Sequence, residues 1–287
     1  MLTIPADAAY ILKKLNQAGH QAYVVGGCVR DALLGREPKD WDVCTSAAPE
    51  IMKQIFQDCH VVETGLQHGT LTVVLHHVPY EVTTFRVDEG YADHRHPDHV
   101  RFVTDVREDL ARRDFTVNAM AWHPKTGLVD AFHGREDLAA GVLRCVGEPS
   151  LRFEEDALRI LRALRFASVY DFRIEEKTAE AIHALHPTLT RVAAERIRVE
   201  LGKLLCGRAA AGILRAYPDV LHTILPETAA MYGFEQHTTH HAYDVWEHTL
   251  HALAAAPAGE TLRFAILLHD AGKPEAFTLD AEGVGHM

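Results

Sequence analysis

The hydrophobic periodicity of this chain changes once, near residue 143, and this change limits the folds available to it. Before that point, short apolar runs such as 22–25, 71–75 and 80–85 are separated by turn residues, which is typical of strands. From Glu154 onward, apolar residues recur at helical spacing. The pattern predicts an α+β protein, in which a head with a mixed or antiparallel sheet is followed by an all-helical neck and body.

The length of 287 residues suits about two domains or slightly more. Motif content divides the chain into a head (1–142), a neck (143–207) and a body (208–287). No run approaches the roughly 18 apolar residues of a membrane span, and no signal segment opens the chain, so we expect a cytoplasmic protein. The five cysteines form no CxxC pair and predict neither a disulfide framework nor a zinc finger.

The formal net charge of −11 argues at first sight against a nucleic-acid partner. Divided at residues 150 and 208, however, the charge becomes −6, +2 and −7. The positive charge of the middle part is mostly arginine, which suits forked recognition of phosphates and base edges. The alternative is a solvated helix face with ion pairs.

A Gly-Gly turn and a pair of aspartates form the first motif that carries chemistry. Gly26 and Gly27 lie between a predicted strand and a helix, where backbone N–H groups and Arg30 can approach a phosphate. Asp40 and Asp42 stand at i and i+2 on a strand predicted over 41–45, so both carboxylates face the same side. Their repulsion predicts a bound divalent cation, with oxygen ligands suited to Mg²⁺. The alternative is a loop or cap pair.

Four further residues of the head are candidates for the same site. Glu81, on the hairpin formed by 71–75 and 80–85, is either a third carboxylate or an ordinary exposed acid. In the block DLARRDFTVNA, Arg113 can reach a nucleotide phosphate, Asp114 can accept from a ribose hydroxyl, and Asn118 can fix that contact. The alternative for this block is a capped helix start.

A helix predicted over 154–168 separates arginines from apolar residues. Arg159, Arg162 and Arg165 share one arc, while Ile160, Leu161, Ala163, Leu164 and Ala167 share the opposite one. Asp156 and Arg159 are adjacent at the boundary. An acceptor beside a donor matches the exocyclic amine and ring nitrogen of cytosine and adenine and mismatches uracil and guanine. The alternative is a plain ion pair between Asp156 and Arg159.

Together these motifs resemble the class II tRNA nucleotidyltransferases, the CCA-adding enzymes and bacterial poly(A) polymerases of the polymerase β superfamily. The resemblance runs from about Ala22 to Leu205 and rests on these segments: GGCVRDALLG, PKDWDV, EVTTFR, DLARRDFTVNAMA, GEPSLRFEEDALRILRALRFA and RVAAERIRVEL. It implies template-independent addition of C and A to tRNA 3′ ends from CTP and ATP, with release of pyrophosphate. By position, it makes Asp40 and Asp42 the metal ligands. The nucleotide-binding residues would be Gly27, Arg30, Arg113, Asp156, Arg159, Arg162 and Arg165.

The segment 87–98 bears on which nucleotides are added. In the family that this chain resembles, relatives that add only CC have a shortened loop between the metal strands and the block that contains RRD. Because the loop is present here, the resemblance favours CCA addition or terminal A addition over CC addition. The sequence leaves these two open, together with the oligomeric state.

The C-terminal region resembles the start of an HD metal-dependent phosphohydrolase domain. By that resemblance His248, His269 and Asp270 would be metal ligands. The chain stops at Met287, before the later ligands of such a site, so we expect a shortened form with little phosphohydrolase activity and weaker tRNA affinity. Two alternatives to CCA addition follow: an HD-type phosphohydrolase with a nucleotide-binding head, and a non-catalytic RNA-binding protein.

Overall fold

A computed structural model describes residues 2–90, 99–235, 242–279 and 285–286. The chain forms two compact units, Met1–Glu148 and Pro149–Met287. The finer division into 1–142, 143–207 and 208–287 stays a prediction.

The first unit combines strands with short helices. Its strands are β1 (Ala22–Val25), β2 (Val43–Thr45), β3 (His60–Val62), β4 (Thr70–Leu75), β5 (Val78–Thr84), β6 (Arg86–Glu89), β7 (His99–Phe102), β8 (Ala121–His123), β9 (Gly127–Val129) and β10 (Val142–Leu143). Its α-helices are α1 (Ala6–Gln17), α2 (Gly27–Leu33), α3 (Pro49–Ile55), α4 (Val106–Ala111) and α5 (Gly134–Ala140).

The second unit is helical apart from three two-residue strands in its described part. Its α-helices are α6 (Pro149–Glu155), α7 (Leu158–Tyr170), α8 (Glu176–Leu185), α9 (Ala194–Leu205), α10 (Ala210–Ala216), α11 (Pro218–Ile224), α12 (Val245–Ala255), α13 (Glu260–Leu268) and α14 (Lys273–Ala276). The strands are β11 (Arg173–Ile174), β12 (Thr278–Leu279) and β13 (Gly285–His286). No helix in the described ranges is both long and apolar enough to cross a membrane.

A seven-stranded mixed sheet organises the first unit, in the order β3-β4-β5-β2-β1-β8-β9. Strands β2 and β5 run parallel, with Val43 opposite Val82. The other neighbouring pairs are antiparallel. Strands β6 and β7 form a separate antiparallel ribbon. The α+β class with a mixed sheet, expected from the sequence, is confirmed.

The predicted hairpin is present as β4 and β5. Its turn consists of His76 and His77, whose φ angles of 48° and 66° are both left-handed, as a two-residue turn between twisted strands requires. The turn is shorter than the sequence suggested because Val78 and Pro79 belong to β5. Parallel pairing of β5 with β2 begins only at Val82, so Pro79 removes no hydrogen bond from that ladder.

Helix α1 buries the apolar face that its spacing predicts: Ala8, Ile11, Leu12 and Leu15. The sequence predicts Asp7 as the N-cap, because Asp7 directly precedes the apolar residues at helical spacing. This prediction is wrong, because the helix begins at Ala6 after Pro5. Asp7 lies in the first turn, where its negative charge favours the helix dipole. Its carboxylate also lies 3.0 Å from Nδ1 of His76, so it serves the turn of the hairpin instead of a cap.

The strand predicted over 41–45 begins two residues late, at Val43. Asp40 and Asp42 therefore precede β2 and do not lie within it, which corrects the expected placement on a strand. The carbonyl oxygen of Asp42 still accepts a 3.0 Å hydrogen bond from the backbone N–H of Val25. That bond holds the end of the segment against β1 even though regular strand geometry has not begun.

One core cluster of the first unit packs α4 against the sheet. It contains Val25, Cys44, Phe85, Val103, Val106, Leu110, Ala119, Ala121 and Val146. All of these side chains are at most 7% exposed. Because Cys44 lies two residues after Asp42, this packing brings the end of α4 close to the aspartate pair.

In the second unit, the single helix predicted over 154–168 is two helices, α6 and α7. The chain breaks at Asp156 and Ala157, where the Asp156 carboxylate accepts a 3.1 Å hydrogen bond from the N–H of Leu158. A side chain that bonds to the backbone in this way competes with helix continuation. Helix α7 then packs against α9.

The segment 87–98 falls only partly within the described residues. Val87 to Glu89 belong to β6, so the loop starts later than the sequence suggested. The remainder of that predicted loop, from residue 91 to residue 98, lies outside the described residues.

Candidate active site

Three carboxylates lie where β2 and β5 begin to pair. Asp42 comes one residue before Val43, and Glu81 one residue before Val82, its parallel partner. Glu81 lies within β5 beside buried Val82, so its side chain points toward the opposite face. Asp42 lies near enough to Glu81 for the charge of Glu81 to raise its pKa. Asp42 is half-buried, whereas Asp40 and Glu81 are exposed.

The electrostatics of Asp42 show that these carboxylates interact. Burial is the main cause that raises the pKa of Asp42 to about 6, and the negative charges of Asp40 and Glu81 contribute to the same rise. The positive charge of Arg113 opposes the shift. A divalent cation bound here would relieve the same repulsion, because oxygen ligands and negative charge are what Mg²⁺ requires.

Gly26 allows a guanidinium to approach the backbone at the turn before α2. Its φ of +80° is left-handed, and a Cβ at this position would lie 2.9 Å from Nη1 of Arg113. The N–H of Gly26 donates to the carbonyl oxygen of Met120 at 3.0 Å. Backbone conformation therefore disfavours a side chain at Gly26, and the end of the Arg113 side chain would have to shift to admit one. Gly27, the first residue of α2, has ordinary space around it.

Arg30, Asn118 and Asp114 form a buried chain of hydrogen bonds. Arg30 donates from Nη1 to Oδ1 of Asn118 at 2.5 Å, and Asn118 donates from Nδ2 to Oδ1 of Asp114 at 3.1 Å. The N–H of Phe115 donates to the same Asp114 oxygen at 2.8 Å. The structure thus brings Arg30, from the Gly-Gly motif, together with Asp114 and Asn118, which both belong to the block DLARRDFTVNA. Their roles toward a nucleotide stay predictions.

Asp109 is a buried acid to which the sequence analysis gave no role. It is 0% exposed and accepts from Arg112 at 2.8 Å and from Nη2 of Arg113 at 3.2 Å. Burial alone would raise the pKa of Asp109, but the charges of the two arginines outweigh it and hold the pKa below its ordinary value. Arg112 also donates to Asp88 on β6 at 3.1 Å. The spacings of three and four residues within DLARRD are the signal that could have revealed this pairing.

In the second unit, the two faces expected of the arginine helix are confirmed. The five residues on the predicted apolar arc of α7 are at most 1% exposed. On the other arc, Arg162 lies 4.0 Å from a Glu200 oxygen, and Nε of Arg165 lies 2.5 Å from the other oxygen. Arg159 donates to Oε2 of Glu155 at 2.5 Å. The arginine side chains are therefore held by carboxylates at half-buried positions.

Asp156 is held by a residue that the sequence analysis did not single out. Arg196 on α9 donates from Nη2 to Oδ2 of Asp156 at 2.9 Å. Glu200, which contacts Arg162 and Arg165, lies one helical turn further along α9. The spacing of four residues between Arg196 and Glu200 places both on one face of α9 and could have drawn attention to them.

The three residues of the HD-like region also converge. Among the described residues, the only set of three His, Cys, Asp or Glu side chains whose ligand atoms lie within 4.8 Å of one another consists of His248, His269 and Asp270. Nε2 of His269 lies 3.1 Å from Oδ2 of Asp270, and Nζ of Lys273 lies 2.8 Å from the same oxygen. Asp40, Asp42 and Glu81 do not converge this tightly.

Comparison with known proteins places the first unit in a class. Residues 22–144 match the family model of the poly A polymerase head domain. Residues 171–231 match the model described as a probable RNA and SrmB-binding site of polymerase A. The sheet, the Gly-Gly turn and the carboxylates thus lie in a head domain of the poly(A) polymerase type.

Similarity over about three quarters of this chain narrows the class. The chain is 49% identical over 221 residues to a CCA-adding enzyme of Leuconostoc mesenteroides, covering 77% of this chain and 55% of that one. It is 49% identical over 210 residues to a CCA-adding enzyme of Enterococcus faecalis, covering 72% and 51%. A crystal structure of the Bacillus stearothermophilus CCA-adding enzyme in complex with CTP superposes with a TM-score of 0.78 at 38% identity, covering 94% of this chain and 64% of that one.

The chain belongs to the family of class II tRNA nucleotidyltransferases and poly(A) polymerases. It spans 55% and 51% of the lengths of the two relatives named above, both of which are CCA-adding enzymes.

Proposed function

We propose that this chain is a nucleotidyltransferase that adds C and A to the 3′ end of tRNA, using CTP and ATP and a bound Mg²⁺. The observation that carries the proposal is the position of Asp42 and Glu81, each one residue before the paired Val43 and Val82, within residues that match the poly A polymerase head domain. The raised pKa of Asp42 supports it. Perturbed carboxylates in a cluster, beside an arginine, are typical of a metal-dependent phosphoryl-transfer site.

The residues of the first unit suit the metal and the triphosphate. Asp40 and Asp42 would hold the metal, with Glu81 as a third carboxylate. A divalent metal ion would stabilise the attacking and leaving oxygens of an in-line displacement. Gly27, at the start of α2, would leave its backbone open to phosphate oxygens, and Arg113, whose Nη1 lies beside Gly26, would bind the phosphates.

The proposed reaction has no covalent enzyme intermediate. The 3′-hydroxyl oxygen of the RNA forms a bond with the α-phosphorus of the nucleotide, and the bond from that phosphorus to the β-phosphate oxygen breaks. Pyrophosphate leaves with both bonding electrons, and the hydroxyl proton passes to water. Buried partners hold Arg30 and Arg113 in place before the nucleotide binds, which lowers the cost of ordering them.

In the second unit, Asp156 and Arg159 would distinguish the bases. The Asp156 carboxylate can accept from the exocyclic amine of cytosine or adenine, and Arg159 can donate to the adjacent ring nitrogen. Arg162 and Arg165 would complete the base and phosphate contacts. These roles are supported by the half-buried positions of the three arginines along one arc of α7.

The decisive experiment offers three tRNAs, lacking CCA, CA or A, with each nucleotide alone and with ATP and CTP together. We expect Mg²⁺-dependent extension to complete CCA ends, and we expect Asp42→Ala to abolish it. Asp58→Ala is the matched control, because Asp58 is an exposed acid paired with Lys14. Undiminished extension by Asp42→Ala would refute the proposal.

The same experiment separates CCA addition from terminal A addition. An enzyme that adds A alone would extend only the tRNA that already ends in CC, with ATP. A poly(A) polymerase would extend any RNA end with ATP. Prior expectation favours CCA addition because the segment 87–98 is present in the sequence. The tRNA substrate also fits the proposed location in the cytoplasm.

A second candidate function is metal-dependent phosphohydrolysis at His248, His269 and Asp270. Their convergence within 4.8 Å favours it. The ammonium of Lys273, 2.8 Å from Asp270, opposes it, because a cation bound there would have to displace that charge. Release of phosphate from p-nitrophenyl phosphate with Mn²⁺ that survives Asp42→Ala but not Asp270→Ala would establish this activity. Absence of release from the unaltered protein would dismiss it.

A further inference from the structure

A pocket of about 450 Å³ lies in the first unit, between α1 and the end of β8. One wall is a ridge of α1 that includes Leu12, Lys13 and Asn16. The other wall is His123, the last residue of β8, with Pro124 and Lys125 in the turn that follows. Its volume falls in the range typical of small-molecule sites.

The charges around this pocket have one sign. Its lining includes two lysines and a histidine but no acidic residue, in a chain that has 40 acidic residues against 29 basic ones. Lys13 and Lys125 have no acidic partner within the described residues. Both lysines are exposed, and each belongs to one of the two walls. A single anion between the walls would meet both charges.

Contacts within the protein hold His123, which lines the pocket, in a fixed position. His123 is 9% exposed, its Nδ1 accepts a 3.2 Å hydrogen bond from the N–H of Lys125, and its Nε2 lies 3.2 Å from Nδ2 of Asn16. Its ring packs edge-on against Tyr23, with centroids 5.9 Å apart. Burial lowers the pKa of His123, and the charge of Lys125 lowers it further. The imidazole is therefore neutral at physiological pH and adds a polar group to a lining that also contains apolar Leu12 and Pro124.

We propose that this pocket binds a compact organic anion, in which a phosphate or carboxylate group is attached to a small apolar body. The anionic group lies between Lys13 and Lys125, and the apolar body lies against Leu12 and Pro124. The pocket is distinct from the proposed nucleotide site, which lies at the other end of β8, where the Met120 carbonyl accepts from Gly26. Binding here does not require that the protein transfer nucleotides.

The test uses phenyl phosphate and benzoate as probes, with inorganic phosphate and phenol as the separate halves of the first. Calorimetry on the whole chain without nucleotide would measure affinity, and the NMR signal of the His123 ring would report the place of binding. We expect saturable binding of an anionic probe, weaker binding of either half, and a rise in the pKa of His123 as the anion binds. The two anionic probes distinguish phosphate from carboxylate recognition.

The double variant Lys13→Ala/Lys125→Ala should weaken binding about tenfold or more, because both charge-assisted contacts are lost. Its matched control is Lys177→Ala/Lys203→Ala, which removes two exposed lysines from the second unit and should leave the affinity unchanged. Thermal unfolding would check that both variants fold. No saturable binding, or equal affinity in the two double variants, would overturn the proposal.

Discussion

Arg196 donates hydrogen bonds to both carboxylate oxygens of Asp156, from Nη2 to Oδ2 at 2.9 Å and from Nη1 to Oδ1 at 3.5 Å. Asp156 also accepts from the N–H of Leu158, so its carboxylate is fixed from the side of α9 and from the start of α7. A carboxylate that is held in this way can present a lone pair in a constant direction. That constancy is what selection of a base by its amine requires.

We therefore expect Arg196→Ala to impair the choice of nucleotide although Arg196 has no proposed contact with it. Loss of a charged hydrogen-bond partner costs about 1.5–3 kcal/mol, so kcat/KM for CTP and ATP should fall about tenfold or more. The ratio of CTP to UTP incorporation should fall as well. Arg198→Ala is the control, because Arg198 lies on the same helix with 69% exposure of its side chain and pairs with Glu260. If both variants behave alike, Arg196 does not position Asp156.

Arg159→Ala should relax discrimination against UTP and GTP more than it weakens binding of the triphosphate. Arg159 would supply the donor for the ring nitrogen, whereas the phosphates would be bound by residues of the first unit. Incorporation of each of the four nucleotides, measured at saturating concentrations, checks this. Arg173→Ala removes an exposed arginine of the same unit and serves as the control. An unchanged order of preference would contradict the base-reading role.

Asp42→Asn should stabilise the folded chain above about pH 6 while abolishing nucleotidyl transfer. The folded-state pKa of about 6 exceeds the ordinary value of 3.8, so the ionised carboxylate is disfavoured in the folded state. Its cost is absent below about pH 4, grows as the pH rises through this interval, and is complete above it. After allowance for solvent screening, we expect a gain of about 1–2 kcal/mol in the free energy of unfolding at pH 7.5.

Urea titrations of the unaltered chain and Asp42→Asn at pH 4.5 and 7.5 would measure this gain, with and without Mg²⁺. Mg²⁺ should stabilise the unaltered chain at pH 7.5 and have much less effect on the variant. Asp58→Asn is a control in which the free energy of unfolding should change in the opposite direction. The hydrogen bond from Lys14 lowers the pKa of Asp58, so its ionised carboxylate is favoured in the folded state. A loss of stability in Asp42→Asn at pH 7.5 would show that the carboxylates do not repel one another.

Asp109→Asn should destabilise the first unit at neutral pH. The variant leaves Arg112 and Arg113 without their shared buried carboxylate, and breaking such a pairing typically costs about 3–5 kcal/mol. Because the folded-state pKa of Asp109 is lowered, its stabilising effect is complete above its ordinary pKa and is lost as the pH falls through the folded value. The stability difference should therefore shrink in acid.

Chemical unfolding at pH 7 and pH 3.5 checks the effect of Asp109→Asn. Glu108→Gln, one residue earlier and exposed, should leave stability nearly unchanged. Equal stability of the two variants at pH 7 would mean that Asp109 does not hold the arginines in the folded state.

The sequence predicted the elements whose signal is local. The apolar face of α1, strand β1 and the two faces of α7 follow from periodicity, because side-chain spacing alone decides which residues are buried. The break between α6 and α7 did not follow, since it depends on the Asp156 carboxylate bonding to Leu158 instead of facing solvent. The late start of β2 was missed for the same kind of reason, because apolar spacing does not reveal where ladder hydrogen bonds begin.

For the candidate site, the sequence identified groups that can contact a ligand but not the groups that hold them. Asp109, Arg196 and Glu200 act through partners that folding brings close, and two of these three have partners about 40 residues away. Asp109 is the exception, because its arginine partners lie within one helical turn. The spacing of Arg196 and Glu200 marks one face of α9, but it does not reveal which distant residues that face contacts.

The positions of the carboxylates of Asp42 and Glu81 depend on the register in which β2 and β5 pair. A slip of one residue in β5 would turn Glu81 toward the core and move Val82 into water, so the site and the core would fail together. The register between Val43 and Val82 therefore couples the position of the Glu81 carboxylate to the burial of Val82.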